Sequence, residues 1–143
     1  MTILAIGISV YDSIITLNEK FQIDSKIRIQ NQYDFLGGQA STAACVCGKF
    51  GLETYMISKV GNDEKGSHIL NTFKCMNVHT NYMQVIDTYK TSYSLILNHQ
   101  DIGKRTILNY QEPYFELSSP FPDNIQFLLF AISTSYKIAD IML

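Results

Sequence analysis

Apolar runs separated by stretches with helical spacing constrain the fold of this chain more than any other feature of its sequence. Three of them, Thr2–Val10, Thr54–Val60 and Phe127–Ile132, predict strands that are buried on both faces. Between these runs, Ala40–Phe50 predicts a helix that packs closely through small residues, and Glu64–Met76 predicts a second helix. Strands that alternate with helices indicate an α/β fold with a mainly parallel sheet.

Other strand segments do not fit such a sheet, because one of their faces is polar. Lys26–Gln32 alternates between apolar and polar residues, and Ile14–Leu17 either extends the first strand or starts a new element. Tyr93–Leu97 and Arg105–Tyr110 flank a polar turn, Asn98–Lys104, which indicates a hairpin. We therefore expect a second, smaller β layer beside the parallel sheet.

The last part of the chain carries turn signals around the third apolar run. Three prolines mark a loop: Pro113, Pro120 and Pro122. After the run, Ser133 or Thr134 is a candidate cap for a short helix, Tyr136–Leu143. Because a new βα unit begins where the sequence stops, we expect the parallel sheet to be incomplete.

Composition limits the kinds of partner that the chain can bind. It has 143 residues, a formal net charge of −2 and 46% hydrophobic residues, which is typical of one globular domain. It has no basic run, so neither nucleic acid nor a membrane surface is favoured as a partner. We expect no signal peptide and no membrane span. Small molecules or other proteins are the expected partners.

Cysteine and histidine positions predict no metal site. Cys45 and Cys47 are separated by one residue, whereas zinc and redox motifs have two, and Cys75 is distant in the sequence. The thiols are therefore expected to be reduced, which predicts a cytoplasmic protein. The three histidines have no spacing typical of metal ligands either; they are His68, His79 and His99.

Glycine-containing motifs precede both predicted helices. The first is Gly37-Gly38-Gln39-Ala40-Ser41-Thr42-Ala43-Ala44, which leads on to Gly51. The second is Val60-Gly61-Asn62-Asp63-Glu64-Lys65-Gly66. In order and spacing, these motifs resemble the N-terminal signature of the ribokinase-like carbohydrate kinases. The one departure is Thr42, which stands where that signature has an asparagine.

Further segments resemble the ketohexokinase-like branch of this family: Phe21–Arg28, and Thr91–Asn98 together with Gly103–Ile107. In that branch they belong to a small β-sheet lid. The resemblance implies an α/β, Rossmann-like ribokinase-fold core, incomplete in this chain, with lid segments at about residues 14–36 and 91–111. It also implies a possible homodimer through the lid, because lids pair in part of the family.

The family's second signature, a Gly-Ala-Gly-Asp-like run, is absent from these 143 residues. In the family its aspartate is the general base, its backbone amides form the anion hole, and the ATP-binding loops lie in the same C-terminal half. The resemblance therefore implies ATP-dependent phosphorylation of a sugar or sugar-like alcohol by a complete enzyme. It implies no catalytic residue and no activity in this chain alone, with ATP and Mg²⁺ bound only in the complete enzyme.

Candidate substrate-binding residues follow the first strand and precede the first helix. Asp12 lies just past the C-terminal end of the first predicted strand, and in open α/β sheets this end faces the ligand crevice. Its carboxylate could accept strong hydrogen bonds from a ligand. Gly37 and Gly38 either form a plain turn or let a substrate approach the N–H groups of the helix start. The resemblance makes Asp12 an acceptor for a sugar hydroxyl; otherwise it is a turn or capping residue.

Four more residues are candidates on the same resemblance. Gln39 can donate and accept hydrogen bonds, and Thr42 either binds sugar through its hydroxyl or packs within the helix. Asp24 is either a lid residue that binds substrate or a solvated loop charge. Arg105 either reaches the phosphate region of the site or faces solvent from its strand.

Two other functions stay open. A truncated kinase homologue without activity could bind a sugar or a partner chain through its lid, which Thr42 and the missing second signature favour. A different α/β nucleotide-binding domain is disfavoured, because neither a phosphate-loop motif nor G-x-G-x-x-G is present.

Overall fold

The computed structural model of the chain describes residues 1–17, 19–111 and 121–131. In chain order its strands and helices are β1 (Thr2–Gly7), β2 (Val10–Leu17), β3 (Ile29–Gly37), α1 (Gln39–Lys49), β4 (Glu53–Ile57), β5 (Lys59–Gly61), α2 (Glu64–Cys75), β6 (Val78–His79), β7 (Gln84–Ile86), β8 (Tyr93–His99), β9 (Lys104–Tyr110) and β10 (Phe127–Ala131). Some predicted features lie outside the described residues: the loop at Pro113 and Pro120, the cap at Ser133 or Thr134, and the helix Tyr136–Leu143. None of the helices in the three described ranges is long and apolar enough to cross a membrane.

Within the described residues, four parallel strands form the core sheet, in the order β10-β1-β4-β6. Helix α1 packs on this sheet through Ala40 and Ala44, which are buried in one cluster with Ala5 and Met56. Small side chains allow the helix axis to lie close to the strands, which explains why this helix is rich in alanine. The predicted α/β fold with a parallel sheet is confirmed.

A second sheet has the order β3-β2-β8-β9. β2 pairs antiparallel with β3 and parallel with β8, while β8 and β9 form the predicted hairpin. Because side chains alternate along a strand, Tyr11 and Ser13 point to one face of β2 and Asp12 to the other. Tyr93 and Tyr110 stack across the hairpin with ring centroids 5.3 Å apart. The expected second β layer is confirmed, but among the described residues it has as many strands as the core sheet.

Two of the predicted strands each prove to be two strands in different sheets. Within Thr2–Val10, the chain leaves the core sheet after β1 and enters the second sheet at β2, crossing at Ile8 and Ser9. Thr54–Val60 is divided in the same way at Ser58, between β4 of the core sheet and β5, which pairs with β7. The apolar run continues through both crossings, so its periodicity does not reveal them.

The strand predicted at Lys26–Gln32 begins and ends later. The structure pairs Ile29–Gly37 with β2, so the strand reaches the glycine pair itself. Hydrogen bonds to β2 hold its long exposed stretch in the strand. The local sequence pattern of β3 does not predict this pairing. β6 and β7 were not predicted, because segments of two and three residues carry no periodicity.

The second glycine-containing motif joins α2 to the second sheet through Asp63. Asp63 caps α2 by accepting a hydrogen bond from the Gly66 N–H at 2.7 Å. The same carboxylate accepts from the N–H and the hydroxyl of Thr91, at 3.0 and 2.7 Å, just before β8 begins. Thr91 is fully buried, and its Oγ1 accepts from the Gly61 N–H at 2.8 Å. The motif therefore fixes the point at which β8 leaves the core.

Asp63→Asn is expected to lower the free energy of unfolding by about 2 kcal/mol, because an amide presents donors to the N–H groups that the carboxylate accepts from. Burial alone would raise the pKa of Asp63, but hydrogen bonds from Thr91 and Gly66 outweigh it and hold the pKa below its usual value. The carboxylate's contribution is therefore present above the unfolded pKa of about 3.9 and is lost as the pH falls through the lower folded pKa.

Urea unfolding followed by circular dichroism at pH 7 and pH 3 measures both effects. The difference between Asp63→Asn and the unmodified chain should be large at pH 7 and smaller at pH 3. Asp87→Asn is the control, since Asp87 accepts its hydrogen bond from Asn62 at the exposed surface; it should change stability by about 0.5 kcal/mol or less. Equal losses for the two variants at pH 7 would contradict the role given to Asp63.

Candidate substrate site

A surface depression of about 570 Å³ lies at the start of α1, where the helix meets β2 and β3. It is lined by Asp12, Leu36, Gly37, Gly38, Gln39, Thr42 and Ala43. Five of these residues are those that the sequence predicted as substrate-binding: Asp12, Gly37, Gly38, Gln39 and Thr42. The tertiary structure thus brings together residues from β2, from the end of β3 and from the start of α1.

Gly37 lies directly against the Asp12 carboxylate. A Cβ atom at position 37 would be 2.0 Å from Asp12 Oδ2 and 2.5 Å from its Cγ. No side chain fits there while the carboxylate keeps this position. The missing side chain of Gly37 therefore allows Asp12 to lie at the floor of the depression, against the backbone that leads into α1.

Gly38 is the residue at which α1 begins, and its φ of +96° is a conformation that L-residues with side chains rarely adopt. A Cβ here would also lie 2.1 Å from the Ile8 carbonyl oxygen. Among the described residues, no side chain caps the helix. The first backbone N–H groups of a helix lack partners within it, so α1 presents donors to the depression that holds the Asp12 carboxylate.

Gln39 and Thr42 are both exposed along the first turn of α1. Thr42 Oγ1 donates a hydrogen bond to the Gly38 carbonyl oxygen at 3.0 Å, within its own helix. In this arrangement its hydroxyl proton is engaged, and only the oxygen lone pairs face a ligand. The Gln39 side chain retains both an acceptor and two donors. Donors and acceptors together suit a neutral ligand with several hydroxyl groups.

Three buried serines behind the depression were not predicted. Ser9 Oγ lies 2.9 Å from Ser41 Oγ, and Ser41 Oγ donates to the Ile8 carbonyl oxygen at 3.2 Å. The Ser9 N–H donates to Ser58 Oγ at 3.0 Å. All three serines are fully buried, and they tie the ends of β1 and β4 to the first turn of α1. Ser9 and Ser58 are polar residues inside two predicted apolar strands, and this was the available signal.

Asp24 and Arg105 do not line the depression at Asp12. Asp24 is exposed in the loop before β3, in a separate depression that Phe21 also lines. Arg105 lies on β9, at the far end of the hairpin from Asp12. Strand register places it on the same face of the second sheet as Asp12, roughly 13 Å farther along the strands at about 3.3 Å per residue. The substrate roles of both residues stay predictions.

Comparison with known proteins identifies the family. The model of the pfkB family carbohydrate kinases matches residues 2–138. The ribokinase of Bacillus subtilis (strain 168) is 27% identical over 84 residues, which are 59% of this chain and 29% of that protein. The chain therefore spans less than a third of the length of this curated relative.

Solved structures show the same fold. A nucleoside kinase from Methanocaldococcus jannaschii, an archaeal member of the ribokinase family, has a TM-score of 0.74 at 19% identity, over 92% of this chain and 44% of that one. Arabidopsis thaliana ribokinase complexed with ribose and ATP has a TM-score of 0.69 at 18% identity, over 76% of this chain and 35% of that one. With the family model matching nearly its whole length, the chain belongs to the pfkB family of carbohydrate kinases.

Proposed function

We propose that this chain forms the sugar-binding part of a kinase that transfers phosphate from ATP to a sugar or a sugar-like alcohol. One observation carries the proposal: the Asp12 carboxylate lies against Gly37, beside the N-terminus of α1, which no described side chain caps. A carboxylate accepts charge-assisted hydrogen bonds from hydroxyls, while the helix amides and Gln39 donate to hydroxyl oxygens. Asp12, Gly37, Gly38, Gln39 and Thr42 would then bind the substrate.

The comparisons support the substrate class and the phosphate donor. One curated relative is a ribokinase, and one structural neighbour was solved with ribose and ATP. ATP is accordingly the proposed donor. The described part of the chain holds no cluster of three or more His, Cys, Asp or Glu side chains that could bind a metal. We therefore assign none of its residues to Mg²⁺, which belongs with ATP to a complete enzyme.

The second sheet would serve as the lid, with its two segments at about residues 14–36 and 91–111. Asp24 and Arg105 lie on these segments, away from Asp12, so they would reach a substrate only if the lid moved toward the core. Such closure excludes water in many kinases. Pairing of two lids would account for a homodimer.

A second candidate function is a sugar-binding homologue without kinase activity. Thr42 favours it, because its hydroxyl proton is already donated to Gly38 and cannot also be donated to a sugar. An asparagine at this position would offer an amide with two donors and one acceptor. The two candidates share the sugar site and differ in turnover.

Sugar binding by the 143-residue chain tests the proposed site. Calorimetric titration with ribose, fructose and a ribonucleoside should detect at least one ligand. Asp12→Asn should weaken binding about 10-fold to 150-fold, since a hydrogen bond to a charged group contributes roughly 1.5–3 kcal/mol. Asp101→Asn, in the exposed hairpin turn, should leave the affinity unchanged.

Both candidates predict that the chain alone does not phosphorylate a sugar. The chain with ATP, Mg²⁺ and the same sugars is expected to form no product above the blank. Product formation that survives repurification would show that the chain carries its own catalytic groups. A chain that binds none of the sugars, or binds them equally well after Asp12→Asn, would contradict the proposed site. Weaker binding after Asp24→Asn would show that the lid reaches the bound sugar.

A further inference from the structure

A second cavity lies on the face of the second sheet opposite to Asp12. Its volume is about 310 Å³, and it is lined by Tyr11, Ser13, Gln32, Lys65, Lys90, Tyr93 and Leu95. Tyr11 and Ser13 flank Asp12 on β2, so their side chains leave the strand on the other face. The register pairs them with Tyr93 and Leu95 on β8, which completes one wall. We name this cavity the lysine–tyrosine pocket.

Two lysines from different parts of the fold meet in this pocket. Lys65 belongs to α2, and its Nζ lies 5.6 Å from the ring centroid of Tyr11 and 5.4 Å from that of Tyr93. Lys90 precedes β8, and its Nζ lies 5.4 Å from the centroid of Tyr93 and 4.9 Å from that of Tyr110. Both ammonium groups are thus held at the same tyrosine ring by cation–π attraction. An ammonium on a ring face keeps N–H donors for another partner.

The floor of the pocket is polar and ordered by hydrogen bonds. Ser13, which is 3% exposed, donates to Asp34 Oδ1 at 2.7 Å and accepts from Gln32 Nε2 at 2.9 Å. Tyr11 also hydrogen-bonds Asp34, and burial together with that carboxylate raises the pKa of Tyr11 to about 12. The phenol therefore stays protonated and acts as a donor at neutral pH.

Acidic groups near the pocket weaken but do not cancel its positive charge. Asp34 receives hydrogen bonds from Ser13, Tyr11 and Gln32, and Glu64 acts on Tyr11 only at longer range. The hydrogen bonds hold the pKa of Asp34 below its usual value, so it is ionised, but its oxygens face donors of the protein. The charge of Lys65 also acts on Asp63 and helps to lower its pKa, but the Asp63 carboxylate already accepts hydrogen bonds from Gly66 and Thr91.

We propose that the lysine–tyrosine pocket binds the phosphate group of a small ligand, through the ammonium groups of Lys65 and Lys90. A phosphate carries a charge of about −1.5 to −2 at pH 7 and has three acceptor oxygens, which two ammoniums from separate elements can share. Lysine binds phosphate as a point charge, without the planar geometry that arginine requires. Tyr93 and Leu95 offer an apolar wall to the remainder of a phosphate monoester.

A phosphate bound in this pocket would connect the core to the second sheet. Lys65 lies on α2 of the core and Lys90 at the entry to the second sheet, so a ligand between them would hold the two parts together. β2 carries Tyr11 and Ser13 toward this pocket and Asp12 toward the depression on the other face. The proposal does not depend on sugar binding at Asp12.

The test is a ³¹P NMR titration of the 143-residue chain at about 0.15 M salt, where exposed charges are screened over roughly 8 Å. Inorganic phosphate and ribose 5-phosphate are the two probes, and line broadening reports binding whatever the assembly state. Both lysines are at the surface of the fold, so Lys65→Gln and Lys90→Gln should fold normally. Lys74→Gln, in the last turn of α2, is the matched control.

We expect saturable binding that weakens at least fivefold in each lysine variant and vanishes in the double variant. Binding should persist in Lys74→Gln. Tighter binding of ribose 5-phosphate would identify a monoester as the ligand, and equal binding would identify free phosphate. The proposal is overturned if broadening does not saturate or if the double variant binds like the unmodified chain. Loss of binding in Asp12→Asn alone would place the phosphate in the other depression and overturn it as well.

Discussion

Gly38→Ala is expected to lower the free energy of unfolding of the chain by about 3 kcal/mol or more. Two independent costs add at this position. The φ of +96° is strained for any residue with a Cβ, and the new Cβ would lie 2.1 Å from the Ile8 carbonyl oxygen. Because that oxygen belongs to the backbone, the start of α1 would have to move away from the end of β1. The same movement would open the depression at Asp12 and weaken sugar binding.

Gly51→Ala is a matched control, because Gly51 has a φ of +78° but no atom within 4 Å of a built Cβ. It bears only the conformational cost, about 1–2 kcal/mol. Pulse proteolysis across a urea series measures both variants at submicromolar protein, where self-association is least. Similar midpoints for the two variants would show that the close approach of Gly38 to Ile8 contributes nothing.

The isolated chain is expected to self-associate, because two apolar surfaces are open among the described residues. Strand β10 is at the edge of the core sheet there, and Phe127, Leu128 and Phe130 are 56%, 48% and 42% exposed. Unpaired strand edges and exposed apolar patches favour pairing with another chain. On the Asp12 face of the second sheet, Tyr33 and Ile107 are also about half exposed, in one row across β3 and β9.

Sedimentation velocity across a range of concentrations detects the association, and two charge substitutions locate it. Phe130→Lys should reduce it if the core-sheet edge is responsible, whereas Ile107→Lys should reduce it if the second sheets pair as a lid dimer. Phe50→Ser is the control, since Phe50 is 81% exposed at the end of α1 and belongs to neither of these surfaces. A monomer with a cooperative urea transition would contradict the expectation and favour a self-sufficient sugar-binding module.

Part of the candidate site could be predicted because its residues are close in sequence. Gly37, Gly38, Gln39 and Thr42 lie within one strand-to-helix turn, and the geometry of such a turn depends on local backbone conformation. Asp12 could also be predicted as a site residue, because it follows the first apolar run. The three buried serines, Ser9, Ser41 and Ser58, were not predicted. Their structural role depends on hydrogen bonds between segments that are distant along the chain.

The fold class, the helix starts and the hairpin could be predicted from the sequence, because these depend on periodicity and on backbone preferences of neighbouring residues. The folded structure was needed to show where the chain crosses between sheets, since a buried apolar run looks the same in either sheet. It also decided which residues share a face: Asp12 turns one way and Tyr11 the other. Lys65 and Lys90 meet at one tyrosine ring because Asp63 and Thr91 join α2 to β8, and a contact of that range leaves no pattern in the sequence.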